Sequence, residues 1–270
     1  EVVWVGGKQE GGKLGDLFAF KQDHIFKDWD DVKANANNRY DAIGELYGPA
    51  AWEALKDKAG KQPIEPGDVC WADLNNDGVI NNLDRVKVGN LCPTVTGGFS
   101  TTLGYKDFSL YARFDYALGH TLYNDLAARS LGQYQGSFNI IDMVKDSWSE
   151  TNQNTDIPKF YYADQLSKKN ITRSNNGLTA VDNNSSRFYE KGDYLALREI
   201  TLTWNLPKKW INKALMSNAS VYVTGQNLFY ITGYTGVSPE PAVDTTYGQG
   251  LDNGRYPTPK TVLLGLSVTF

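Results

Sequence analysis

The sequence predicts an all-β fold of antiparallel strands, and three observations carry that reading. Five segments alternate apolar and polar residues with a period of two. The connections between them are alternately short and long. No run of about 18 apolar residues exists, which excludes a transmembrane helix but not a barrel, whose inward-facing residues dilute the hydrophobicity of every strand. At 270 residues, 41% hydrophobic and with a mean hydropathy of -0.45, the chain is long enough for a large core yet polar on average.

The chain opens on Glu1-Val2-Val3-Trp4, with no initiator Met, basic region or leader-like apolar run, and is expected to be a fragment or a processed product. A net charge of -4 with both signs scattered argues against a nucleic-acid partner, which needs clustered Lys and Arg. His24 and His120 are the only histidines, and neither stands at a spacing known for a nucleophilic triad or a zinc site. Asp28, Asp30 and Asp31 read as a solvated loop, and no phosphate-cradling Gly loop is present. The chain is therefore not expected to be an enzyme.

Along the chain, the first expected element is a short helix from Pro49 to Lys58, with Pro at its first turn. Asp73 to Asp84 then reads DLNNDGVINNLD, a calcium-type loop. Asp73, Asn75 and Asp77 offer side-chain oxygens at alternate positions, Gly78 permits the sharp bend, and Val79 offers its carbonyl. Asn81 contributes directly or through water, and Asp84 closes the loop with a carboxylate. A hard cation wants six or seven oxygens, and a Ca2+ clip is the expected occupant; an Asx-rich turn that holds no ion shares the pattern. Neither flank reads as an amphipathic helix, so the loop is expected to be structural and not a switch. Cys70 and Cys92 bracket it, either as two buried thiols or as a disulfide worth roughly 3 kcal/mol through the unfolded state.

The first strand runs over Phe99, Thr101, Leu103 and Tyr105, and the short link Tyr105-Lys106-Asp107 makes a hairpin with the second, Asp107 to Leu118. There Phe108, Leu110, Ala112, Phe114, Tyr116 and Leu118 oppose Asp107, Ser109, Tyr111, Arg113 and Asp115. A second short helix is expected from Phe138 to Trp148, with Ile140, Ile141, Val144 and Trp148 on one face. The third strand begins at Tyr194 and carries Ile200, Leu202 and Trp204; the fourth carries Val221 and Val223 against Tyr222, Thr224 and Gln226. Each breaks phase once, near Arg198-Glu199 and near Gly225-Asn227, as a bulge does. The fifth, Thr261 to Phe270, sets Val262, Leu264, Leu266, Val268 and Phe270 against Thr261, Gly265, Ser267 and Thr269, with Leu263 the one apolar residue on the polar side. A strand of this kind closes an outer-membrane barrel, although the last strand of a soluble sandwich has the same pattern.

The ordered motifs Gly67-Asp68, Asp73-Leu74-Asn75-Asn76-Asp77-Gly78-Val79-Ile80, Asp84-Arg85, Gly89-Asn90 and Gly98-Phe99 resemble a stretch of SusC/RagA-type TonB-dependent outer-membrane transporters. The likeness continues through Trp148-Ser149-Glu150-Thr151-Asn152, Gly192 to Leu202, Leu206-Pro207, Gly225-Gln226-Asn227-Leu228, Pro239-Glu240, Tyr256-Pro257-Thr258-Pro259 and the terminal Phe. It covers about Gly15 to Phe270.

That resemblance implies the C-terminal strands of a large antiparallel transmembrane β-barrel, of about 22 strands, with long extracellular loops containing short helices. It assigns residues 1–93 to an extracellular loop region holding the acidic loop, and 94–270 to the last five strands with their loops. It further implies an outer-membrane importer of oligosaccharides or peptides, with loops extracellular and the C-terminus periplasmic. Its partners would be TonB, a SusD-like surface lipoprotein, the N-terminal remainder of the barrel with its plug, and outer-membrane lipid. Tyr134, Tyr161, Tyr162, Tyr234 and Tyr247 sit in the long connections, where aromatic faces stack on sugars or pack on a partner. A secreted calcium-dependent binding module and a purely structural outer-membrane barrel are the alternative readings.

Overall fold

The computed structural model describes residues 4–5, 8–36, 39–40, 46–47, 65–76, 82–128, 130–131, 142–160, 185–240, 250–252, 254 and 256–270. Its main elements are β1 (Asp16–Phe20), β2 (Gln22–Ile25), α1 (Trp29–Ala36), β3 (Val69–Trp71), β4 (Arg85–Asn90), β5 (Val95–Tyr105) and β6 (Phe108–Leu118). They continue with β7 (Thr121–Asn124), β8 (Tyr189–Lys191), β9 (Tyr194–Asn205), α2 (Lys208–Ile211), β10 (Asn218–Thr232), β11 (Leu251–Asp252) and β12 (Thr261–Thr269). No helix among the described residues is long and apolar enough to cross a membrane, which leaves membrane-crossing strands open.

Two units make up the chain. One comprises Glu1–Leu91, Thr121–Glu190 and Ala242–Gly254; the other comprises Cys92–His120, Lys191–Pro241 and Arg255–Phe270. The division at Leu91 falls close to the sequence boundary at residue 93. The long connections 121–190 and 242–254 nevertheless fold with the N-terminal stretch.

In the first unit, short strands pair two by two, β1 with β4 and β2 with β3, and β7 lies between β8 and β11. Its core is made of separate apolar clusters. Tyr123, Leu131, Ile157, Phe188 and Leu251 form one, and Phe20, Ile25, Val69, Trp71 and Trp148 a second. Gly67 is required beside the second, because its φ is +94° and a Cβ there would lie 2.5 Å from the Trp148 ring. The β1 and β4 pair is tied by Asp16, whose carboxylate accepts from the Lys13 backbone N–H at 2.8 Å, Asn90 Nδ2 at 2.7 Å and Lys87 Nζ at 2.7 Å. Burial alone would raise its pKa from 3.8; the Lys87, Asn90 and Lys13 contacts outweigh it and hold the group at about 2.

Asp28 is exposed and precedes α1, as a solvated loop residue, and it also caps that helix: its Oδ1 accepts from the N–H groups of Asp30 at 3.0 Å and Asp31 at 2.9 Å, and the first turn is acidic as the helix dipole favours. Two expectations change here. The helix expected over Phe138 to Trp148 is a 3-10 turn at Asp142–Asp146 within the described part, while Ile140 and Ile141 lie outside it. Val144 packs on the first cluster and Trp148 belongs to the second, so the two do not share one buried stripe. Cys70 and Cys92 are thiols, Cys70 buried and Cys92 exposed, which removes the disulfide. The helix expected over Pro49 to Lys58 lies outside the described residues.

The second unit is a five-stranded antiparallel sheet in the order β12-β10-β9-β6-β5. These are the five segments read from the sequence, each paired with its neighbour in the chain. Lys106 and Asp107 turn β5 into β6, with Lys106 at φ +51°. Residues 206–217, with α2 and a 3-10 turn, link β9 to β10. Both short links and the C-terminus stand at one end of the sheet. The long connections leave the sheet at the other end.

Register puts the apolar series on one face. Phe108, Leu110 and Ala112 pair with Tyr105, Leu103 and Thr101 on β5, and with Trp204, Leu202 and Ile200 on β9. Trp204 and Leu202 then pair with Val221 and Val223, which pair with Leu266 and Leu264. This face is open: Leu264 is 80% exposed, Val262 71%, Leu266 66% and Leu103 61%. A band of that kind is costly in water and stable in hydrocarbon. The 11 residues of β6, at a rise of about 3.3 Å and a tilt of about 40°, span roughly 25 Å, the height of an outer-membrane apolar belt.

Both bulges occur. The register passes from Arg113↔Glu199 to Phe114↔Leu197, leaving Arg198 as the extra residue on β9. On β10 it passes from Glu199↔Gln226 to Leu197↔Phe229, with Asn227 at φ +52°. Beyond the bulge the apolar face continues through Leu195, Leu197, Phe229 and Ile231, residues that the simple alternation had not placed on it.

Candidate functional site

The opposite face of the sheet is polar and carries the chemistry. Arg113 stands opposite Glu199 and Ser100, Asp115 opposite Ala196 and Gly98, and Tyr222, Thr224 and Gln226 follow on β10. Small residues make room for large ones: a Cβ on Gly265 would lie 2.1 Å from the ring of its partner Tyr222, so Tyr222 lies flat across β12.

A bulge re-aims the side chain of its extra residue, and here that residue is Arg198. Its guanidinium holds Asp115 bidentately, Nε to Oδ1 at 2.6 Å and Nη2 to Oδ2 at 2.9 Å, and Nη1 donates to the Tyr230 hydroxyl at 3.0 Å. Nη2 also donates to Glu240 Oε1, which accepts from the Tyr230 hydroxyl at 2.8 Å. The Arg198 side chain is 19% exposed, so these bonds stand in for most of its hydration. One cation between two carboxylates leaves the cluster with a net charge of -1. The Glu240 end is fixed independently: buried His120 sets Nε2 2.9 Å from the carbonyl of Pro239 and meets the Tyr194 ring edge-on at 6.2 Å. A cavity of about 610 Å³ opens beside the cluster, lined by Gly98, Ser100, Arg113, Asp115 and Arg198 among others. The sequence signalled Arg198 only through its phase break, and none of its partners.

The acidic loop is described at Asp73, Asn75 and Asp84, whereas Asp77, Val79 and Asn81 lie outside the described residues. Strands flank it, β3 before and β4 after, as the absence of amphipathic flanks implied. Asp84 is fully buried, and its Oδ1 accepts from the Leu74 backbone N–H at 2.9 Å, so the closing carboxylate reaches back to the start of the loop. Asn76 takes the left-handed conformation at φ 57° that a tight oxygen-rich turn needs. The described donors, Asp73, Asn75 and Asp84, all offer oxygen, which suits a hard cation. Of the loop tyrosines, Tyr134, Tyr161, Tyr162 and Tyr247 lie outside the described residues. Tyr234 is 7% exposed, so its ring is packed and presents little face to solvent in this conformation.

No protein-family model matches the chain. It is 32% identical over 243 residues to the TonB-dependent receptor P3 of Formosa agariphila, a match covering 85% of this chain and 22% of that protein. It is 25% identical over 265 residues to the TonB-dependent receptor SusC of Bacteroides thetaiotaomicron, covering 97% of this chain and 23% of that protein. Among solved structures, the RagAB peptide transporter superposes with a TM-score of 0.58 at 24% identity, over 76% of this chain and 21% of that one, a likeness of fold. The chain thus spans between a fifth and a quarter of the length of these relatives. By its 32% identity over 85% of its length to a TonB-dependent receptor, together with the likeness to SusC, the chain belongs to the SusC-type TonB-dependent receptors as a segment of one.

Proposed function

We propose that the receptor carrying this chain imports peptides or oligosaccharides across the outer membrane with energy from TonB, together with a SusD-like surface lipoprotein. The apolar face of the sheet meets lipid and the polar face lines the lumen. The end with the short links and the C-terminus is periplasmic; the end with the long connections is extracellular. The observation that carries this reading is the exposure of one continuous apolar face backed by Arg113, Asp115, Arg198 and Glu199. Charges placed on the lipid side would cost several kcal/mol each, about 2–4 at the midplane, and the sequence puts them all on the other side. Peptides are the first substrate class to test, because the RagAB neighbour is described as a peptide transporter.

Uptake of labelled peptide and oligosaccharide mixtures by cells lacking the receptor, complemented with the wild-type gene, tests the function. Receptor-dependent and TonB-dependent uptake of one class is expected. A folded receptor in the membrane with uptake of neither class would favour a purely structural barrel. Alanine at two or three of Tyr134, Tyr161, Tyr162 and Tyr247 is expected to lower uptake or lipoprotein binding at unchanged protein level.

The acidic loop supports a structural Ca2+ bound by Asp73, Asn75, Asp77, Val79 and Asp84, with Asn81 at one remove. An extracellular medium supplies the ion, so a dissociation constant of about 0.1 to 1 mM suffices. Metal analysis of the purified receptor is expected to find calcium, and Asp73→Ala with Asp77→Ala to loosen the loop to protease while the barrel stays assembled. Absence of any divalent ion, with no effect of chelation, would contradict the assignment.

A further inference from the structure

We propose that Asp23, His24 and Cys70 form a second metal site, chemically distinct from the acidic loop and suited to Zn2+. His24 and Cys70 are register partners across β2 and β3, so their side chains emerge on the same face. Neighbouring strand residues ordinarily point to opposite faces, but the register of β2 shifts between Gln22 and His24, and Asp23 stays beside the ring with Oδ2 2.9 Å from Nδ1. One ligand atom from each of the three residues lies within 4.8 Å of the others.

The surroundings are those of a built site. Asp31 stands at the other ring nitrogen, its Oδ1 3.2 Å from Nε2. That carboxylate is itself fixed, accepting from the Lys27 backbone N–H at 2.9 Å and from Asn35 Nδ2 at 2.7 Å, in the first turn of a helix capped by Asp28. A carboxylate on the far nitrogen of a histidine sets its tautomer and orientation for metal binding at the near one. Cys70, 1% exposed and packed with Phe26 and Val32, closes the inner side, while Asp23 and His24 keep the outer side open to an arriving ion.

Thiolate, imidazole and carboxylate together select a borderline-soft cation over calcium or magnesium, and three protein ligands leave one position of a tetrahedron for water or a fourth donor. Binding releases the Cys70 thiol proton, and Nδ1 of His24 coordinates as a neutral imidazole whose proton lies on Nε2, toward Asp31. His24 showed no metal-ligand spacing in the sequence because its soft partner is supplied by strand pairing. The four residues come from β2, α1 and β3.

Titration of the metal-stripped full receptor in detergent with Co2+ tests this. One equivalent is expected to give a thiolate-to-cobalt absorption band that Zn2+ abolishes and Ca2+ does not. Cys70→Ser is expected to remove the band and Cys92→Ser to leave it intact. His24→Ala is expected to weaken binding at least tenfold. Asp31→Asn is expected to keep the band while weakening binding about 10- to 100-fold, as a positioning residue does. Heat-modifiable migration on gels confirms that each variant is folded. A folded wild-type receptor with no such band, a band that follows Cys92, or binding only at millimolar metal would overturn the site.

Discussion

Replacing Arg198 with Leu is expected to destabilise the folded receptor by about 3 kcal/mol, the low end for breaking a buried ion pair, because Asp115 on the other side of the pair is 36% exposed. The loss arises less from the missing attraction than from what remains: Asp115 and Glu240 side by side without their common cation. Arg198→Lys is expected to recover only part, since an ammonium cannot hold Asp115 bidentately while also reaching Tyr230 and Glu240. Because the bond to Glu240 ties the segment after β10 to the sheet, that segment should also become more sensitive to protease. Unfolding midpoints in detergent check the first effect and limited proteolysis the second. Coupling is part of the same expectation: Arg198→Leu combined with Asp115→Asn should cost less than the sum of the two. Midpoints for Arg198→Leu within about 0.5 kcal/mol of wild type would show the cluster to be incidental.

Leu264→Arg is expected to cost about 2–4 kcal/mol and to deplete folded receptor in the outer membrane, whereas Leu263→Arg, one residue away on the opposite face, should cost under about 1 kcal/mol. The two positions share a depth and differ only in the side of the sheet they face. Leu264 pairs with Val223 in the apolar band, and Leu263 with Thr224 in the polar one. A guanidinium at Leu264 must leave water or distort the bilayer; at Leu263 it remains in a polar surrounding. Quantifying folded receptor by its heat-modifiable gel band in outer-membrane fractions reads both. Equal losses would contradict the assignment of faces.

The strands were legible because lipid on one side and a polar interior on the other impose a strict period of two, which the chain keeps from Phe108 to Leu118 and from Val262 to Phe270. The bulges were legible as phase breaks for the same reason. Their consequences were not. Once Arg198 is set aside as an extra residue, Leu195, Leu197, Phe229 and Ile231 rejoin the apolar face, a step that needs the register of two partner strands at once. The Arg198 cluster joins residues 83 and 42 positions apart, and no local pattern reports such pairs. The clusters of the first unit were hidden likewise, since Tyr123, Ile157, Phe188 and Leu251 come from separated stretches that look like independent loops. The cap at Asp28 did have a local signal, an Asp followed three residues later by a second acid, within a stretch that is solvated as the sequence suggested.

The central claim is that this sheet is a membrane wall with lipid on its apolar face, and a spin-label scan of Val262 to Thr269 in the reconstituted receptor measures it directly. Labels at Val262, Leu264, Leu266 and Val268 are predicted to collide with molecular oxygen, which concentrates in lipid, and to be shielded from a water-soluble nickel chelate. Labels at Leu263, Gly265, Ser267 and Thr269 are predicted to show the reverse balance, giving two curves of period two in opposite phase. Loss of that periodicity, or its inversion, would contradict the account.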